Sequence, residues 1–162
     1  MNEMLFIKAS PRAASAIRAI ATGAVIAGAL DATFSLVAYV FVLHTFSIIG
    51  VLQYIASGLL GPAAFSGGLL TAALGVAIHF FLAFTFATLY YVASRRIKGL
   101  RSHAGTFGIV YGAGIWLVMD LVVLPLTGTP KSAFNAALFS SFLADHALFV
   151  GLPIALAIQR YG

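Results

Sequence analysis

Asp31, His79, Asp145 and His146 stand out in this sequence because each lies inside a long apolar run. Carboxylates with imidazoles can exchange protons, and neutral imidazole with carboxylate oxygen suits zinc, iron or manganese. Counting from the ends of the runs puts all four within about one helical turn of a common depth. Asp120 is expected about 7 Å nearer one side, at about 1.5 Å rise per residue. His44 caps the first run on that same side, and Glu3 alone among the acidic residues falls outside the runs.

A carboxylate at mid-membrane depth costs about 2.5–3.5 kcal/mol even on the most lenient insertion scale. No Lys or Arg stands at these depths to compensate. The remaining solutions are Asp–His hydrogen bonds, a protonated Asp, a bound cation or a water-filled cavity, and all require inward-facing groups. Four readings follow. The first is a structural polar network that fixes helix register. The second is a metal site on Asp31, His79, Asp145 and His146, or a haem b held by His79 and His146. Gly75, one turn from His79, would leave space for a flat ring. The third is a proton or small-solute pathway extended outward by Asp120 and His44.

The fourth reading is an enzyme acting on a lipid-soluble substrate, with Asp145 and His146 as acid and base. Adjacent helical residues point about 100° apart, so these two are not expected to form a tight dyad. The sequence also lacks a nucleophile elbow and a His-Glu-x-x-His motif. The balance therefore leans away from an enzyme.

Positioning such residues requires membrane helices. Of 162 residues, 62% are hydrophobic and 8% charged, against about 45–50% and about 25% in soluble domains. A chain this apolar could not cover its own surface in water, so the lipid bilayer is its expected partner. Four runs reach the length of about 20 residues that a spanning helix needs: Ala19–Leu43, Leu69–Tyr91, Ala104–Leu126 and Phe134–Ile158. The expectation is an all-α, single-domain membrane protein over residues 1–162, folded as an antiparallel four-helix bundle. The first run exceeds the apolar core of a secretory signal, about 7–15 residues, and is expected to remain as a helix.

Lys8, Arg12, Arg18, Arg95, Arg96, Lys98, Arg101 and Arg160 flank one set of helix ends, and Lys131 alone the other. The positive-inside rule then gives an N-in, C-in orientation, a multi-pass protein with both termini cytoplasmic. The same placement speaks against nucleic acid as a partner, since a basic patch on a wet face is missing. With no cysteine, disulfides and iron–sulfur ligation by this chain alone are excluded.

From Phe46 to Leu60 the sequence carries Ile48, Val51, Leu52, Ile55, Leu59 and Leu60 on one helical side and Gln53 and Ser57 on the other. That pattern suits a short helix in the outer interface, or a re-entrant segment covered by protein, ended by Gly61-Pro62. Small residues mark close helix contacts: Ala24 and Gly28 beside Asp31, Ala72 and Gly75 beside His79, Gly105, Gly108 and Gly112 on the third run, and Ala147 and Gly151 on the fourth. Trp116, one turn from Asp120, is expected to pack within the bundle. Pro153 is expected to bend the last helix.

Leu52-Gln53-Tyr54-Ile55-Ala56-Ser57-Gly58, the stretch from Gly75 to His79-Phe80, Val122-Val123-Leu124-Pro125-Leu126, and His146 through Gly151-Leu152-Pro153 together cover about half the chain. In these stretches it resembles a group of small, uncharacterised bacterial inner-membrane proteins related to the YagU-like proteins. The resemblance implies a bacterial four-span inner-membrane protein, gives weight to His79 and His146, and brings no reaction with it. Four short helices leave little room for a private channel, so a transport role would call for a homo-oligomer or a larger membrane complex.

Overall fold

The computed structural model describes residues 11–131 and 133–162; Lys8 and Glu3 lie outside them. Five helices, one more than the expected spans, are long and apolar enough to cross a membrane by length and composition. They are α1 (Arg12–Val42), α2 (Ile48–Ser66), α3 (Gly68–Arg96), α4 (Ala104–Leu126) and α5 (Ala136–Tyr161). A single helical turn, Gly99–Ser102, joins α3 to α4. Ser47 and Asn135 start α2 and α5 by accepting hydrogen bonds from the backbone N–H of Gly50 and Leu138, at 3.1 and 3.0 Å, as N-caps do. Large apolar side chains point outward, Leu70 and Leu126 being 81% and 82% exposed. The interior is built from Ala24, Ala27, Ala83 and Ala87 around Tyr90, Ile154 and Ile158. Small residues inside and large ones outside is the arrangement for a lipid solvent, where helices associate by close packing rather than by hiding from water.

The segment expected in the interface differs in polarity. Gln53 and Ser57 are buried, while Ile48, Leu59 and Leu60 are exposed. Gln53 Nε2 donates to Gly68 O at 3.1 Å and to Thr71 Oγ1 at 3.3 Å. The Thr71 hydroxyl donates to Ala64 O at 2.6 Å. The polar side of α2 therefore holds it to α3, while Ile48, Leu59 and Leu60 of its apolar side face out and Val51 is buried. Gly61, at φ +58°, breaks α2 after Leu60, and beyond it Phe65 stacks on Phe46 with ring centroids 6.4 Å apart. The regular part, Ile48–Leu60, has 13 residues and so spans about 20 Å.

Three helices contain a wider, π-wound stretch: Val37–Val42, Met119–Val123 and His146–Gly151. The latter two precede Pro125 and Pro153. Proline removes the N–H that would bond the carbonyl four residues earlier. Those carbonyls, of Leu121 and Phe149, fall inside the π-wound stretches, where the hydrogen-bond register is already shifted. Tyr90 points into the core, donating from its hydroxyl to Leu100 O at 2.8 Å.

The glycines of α4 do not act alike. A Cβ on Gly112 would overlap the His146 carbonyl, and one on Gly108 would press on the backbone of Gly151 and Leu152. At Gly105 it would meet nothing within 4 Å. Gly112→Ala is expected to destabilise the detergent-solubilised protein by about 1–3 kcal/mol through overpacking. Gly105→Ala should stay within about 0.5 kcal/mol of wild type. Thermal unfolding of the two variants side by side checks this, and equal melting temperatures would contradict the packing described.

Candidate functional site

Three helices bring the Asp and His side chains together. Asp31 projects from α1 one turn beyond Gly28, whose lack of a side chain lets Phe80 and Ala83 of α3 approach α1. That approach sets His79 beside Asp31, with His79 Nε2 2.8 Å from Gly28 O and Nδ1 3.7 Å from Asp31 Oδ2. From α5, His146 Nδ1 lies 3.8 Å from Asp31 Oδ1. One ligand atom from each of Asp31, Asp145 and His146 falls within 4.8 Å of the others.

Asp145 and His146 do meet, contrary to the expectation for neighbours on an α-helix. His146 Nδ1 is 3.1 Å from Asp145 Oδ2. The α-helical winding of α5 stops at Asp145 and the π-wound stretch begins at His146. The wider turn narrows the angle between successive side chains, so both reach the same side.

The backbone acceptors assign the ring protons. A carbonyl can only accept, so His79 donates from Nε2 to Gly28 O, and its Nδ1 faces Asp31. His146 Nδ1 is also 3.1 Å from Phe142 O, so it donates there and to Asp145. In the neutral rings the other nitrogen is an acceptor. The cluster is thus rich in acceptors and poor in donors. Asp31 Oδ1 and Asp145 Oδ1 are buried with no hydrogen-bond partner, and the Asp145 side chain has no exposure at all. Among the described residues, only histidines lie within ion-pair distance of the two carboxyls.

The cluster borders a cavity of about 630 Å³ that all five helices line. Asp31, His79 and His146 stand at one end; Asp120, Thr127 and Lys131 line it toward the α4–α5 turn. Trp116 forms part of the wall, stacked on Phe142 at 5.3 Å between centroids and tilted against His146 at 5.0 Å. It packs against both rings, and its Nε1–H is buried without a hydrogen-bond partner. Asp120 therefore shares the cavity with the cluster, whereas His44 does not line it: His44 is exposed in the α1–α2 connection at φ +52°. Gly75 is where α2 crosses α3; a Cβ there would overlap the Leu52 carbonyl. The place beside Gly75 is taken by backbone and offers no slot for a flat ring.

Sequence reasoning missed Tyr39 and Tyr54, which line the cavity with centroids 6.3 Å apart. A signal existed for the first: Asp31, Ser35 and Tyr39 recur every fourth residue, hence on one helical face. Compared with family models, curated proteins and solved structures, the chain matches none.

Because the two carboxyls belong to one cluster, their substitutions should not add. Asp31→Asn and Asp145→Asn combined are expected to cost less than the sum of the single changes, with a coupling of about 0.5–3 kcal/mol. A double-mutant cycle on unfolding in detergent measures it; strict additivity would separate the two side chains energetically.

Proposed function

We propose that this protein is a small inner-membrane binding protein, not an enzyme, whose Asp31–His79–Asp145–His146 cluster holds a cation at the base of the cavity. The observation that carries this reading is the pair of buried carboxyl oxygens, Asp31 Oδ1 and Asp145 Oδ1, neither of which receives a hydrogen bond. Buried unpaired acceptors next to one another are costly, and a proton or a bound cation removes the cost. Asp31, Asp145 and His146 would be the ligands of a metal ion, with His79 orienting Asp31. A carboxylate-rich set with one imidazole suits manganese, iron or zinc.

In the orientation proposed, the ends bearing Arg12, Arg18, Arg95, Arg96, Lys98, Arg101 and Arg160 face the cytoplasm. Four helices cross, and α2 enters and leaves on the outer side. Support comes from the Arg18 guanidinium lying 4.4 Å from the centroid of the Tyr161 ring, which brings the start of α1 and the end of α5 to one side. The bond from Gly128 N to Gly58 O, 3.1 Å, ties α2 to the opposite turn.

The second reading, a proton or solute pathway, is favoured by the cavity linking the cluster to Asp120 and Lys131. Against a through-path, the space on the basic side of the cluster is filled by buried Ala24, Ala87, Tyr90, Ile154 and Ile158. A dead-end cavity fits a binding site better than a conduit. A homo-oligomer or a larger membrane complex would be needed to complete any path.

Titration of purified protein with Mn²⁺ or Zn²⁺ in a calorimeter, together with pH titration of proton uptake, tests the cluster. Asp145→Asn is expected to weaken metal binding by about tenfold or more, the loss of one charged ligand. Failure of both Asp31→Asn and Asp145→Asn to alter either titration would refute the cation site. Orientation is checked separately, since the chain has no cysteine. Ser102→Cys should be shielded from an impermeant maleimide applied to intact cells, while Lys131→Cys should react.

A further inference from the structure

We propose that the cavity takes a lipophilic amine, with its protonated nitrogen against Asp31 and its apolar body along the aromatic wall. This rests on the cation-binding reading of the cluster and names the kind of cation.

Two observations carry it. The first is donor count. At the cavity wall Asp31 offers an acceptor without a donor, its Oδ1, and the histidines beside it spend one N–H each on the carbonyls of Gly28 and Phe142. A primary ammonium brings three N–H donors and no acceptor, which is the complement of this set.

The second is the cavity itself. A volume of about 630 Å³ lies within the range of about 300–1,000 Å³ typical of sites for organic molecules, far above the need of an ion. Its walls include Tyr39, Tyr54, Trp116 and Phe142, whose ring faces attract a nearby cation and whose bulk covers an apolar body. Asp120 adds a second acid along the wall, and Lys131, at the far end, is the one Lys or Arg among the described lining residues. Negative charge at depth with positive charge only at the rim orients a molecule carrying one ammonium, nitrogen first.

The chain supplies its own reporter, since Trp116 is its single tryptophan and lines the cavity. The probes are 4-phenylbutylamine and its uncharged counterpart 4-phenylbutan-1-ol, added to purified protein while Trp116 emission is followed. The amine is expected to bind about tenfold or more tightly than the alcohol, the worth of a charge-assisted hydrogen bond. Asp31→Asn should remove that preference and leave alcohol binding in place. The wild-type comparison stands even if the variant does not fold.

Equal affinity for amine and alcohol would overturn the proposal. So would quenching of Trp116 by a brominated phosphatidylcholine that neither compound displaces, which would make the cavity a slot for lipid. Zn²⁺ or Mn²⁺ binding that depends on Asp145, without amine binding, would overturn the amine and leave the cation site standing. Absence of metal, proton and amine effects together would remove both.

Discussion

Two carboxyl groups close together, Asp145 buried and Asp31 half-buried, with only imidazoles in ion-pair reach among the described residues, are the constraint on which this architecture turns. In a low-dielectric interior such groups cannot be left facing hydrocarbon, so the helices that carry them have to converge. Convergence explains the composition of the contact faces. Asp31 and His79 meet only because Gly28 admits Phe80 and Ala83 of α3. The same close approach exposes the Gly28 carbonyl to His79 Nε2. One glycine thus sets both the helix separation and the orientation of an imidazole.

The α4–α5 contact works in a related way on the other half of the cluster. Gly112 lies directly against the His146 carbonyl, and Gly151 against the backbone of Gly108 and Gly112. Those contacts press α4 onto the π-wound stretch of α5, where a bulkier residue would push it away. Because the stretch starts at His146, its winding decides whether Asp145 and His146 share a side. Trp116, arriving from α4, then stacks on Phe142 and rests against the His146 ring. Backbone deformation, close packing and side-chain placement are therefore one coupled arrangement. Pro153 belongs to it too, since the carbonyl it leaves without a donor lies within the deformed turn.

What the sequence made legible follows from periodicity and depth. Long apolar runs announce helices for lipid, and residue counting put Asp31, His79, Asp145 and His146 at one level. Helical periodicity does not say which side of an amphipathic segment faces the protein. The same spacing that places Gln53 and Ser57 on one face fits an interfacial helix and a helix whose polar face is buried; the bonds from Gln53 to Gly68 and Thr71 decide for the latter. A π-wound turn has no composition of its own, so the Asp145–His146 contact was hidden even though the proline that accompanies it was visible. His44 and Asp120 looked alike as outer polar residues, yet only Asp120 lines the cavity, because His44 sits in a left-handed bend outside it. Tertiary geometry, not residue type, separates them.

A space of about 630 Å³ between helices also has energetic consequences, since wall atoms without neighbours lose dispersion contacts and the lining relaxes only in part. In a bilayer something fills such a space, and its lining selects what. Water would satisfy Asp31 and Asp120 but leave the faces of Trp116, Tyr39 and Phe142 wetted at a cost proportional to their apolar area. An acyl chain would cover those faces but bring no donor to the Asp31 and Asp120 carboxyls. The lining is mixed in a definite order, acidic at depth, aromatic along the wall and basic at the rim. A molecule with one polar, positively charged end and one apolar end meets each part of that order with its complement. The same order gives it one direction of entry, which a uniformly polar or uniformly greasy cavity would not.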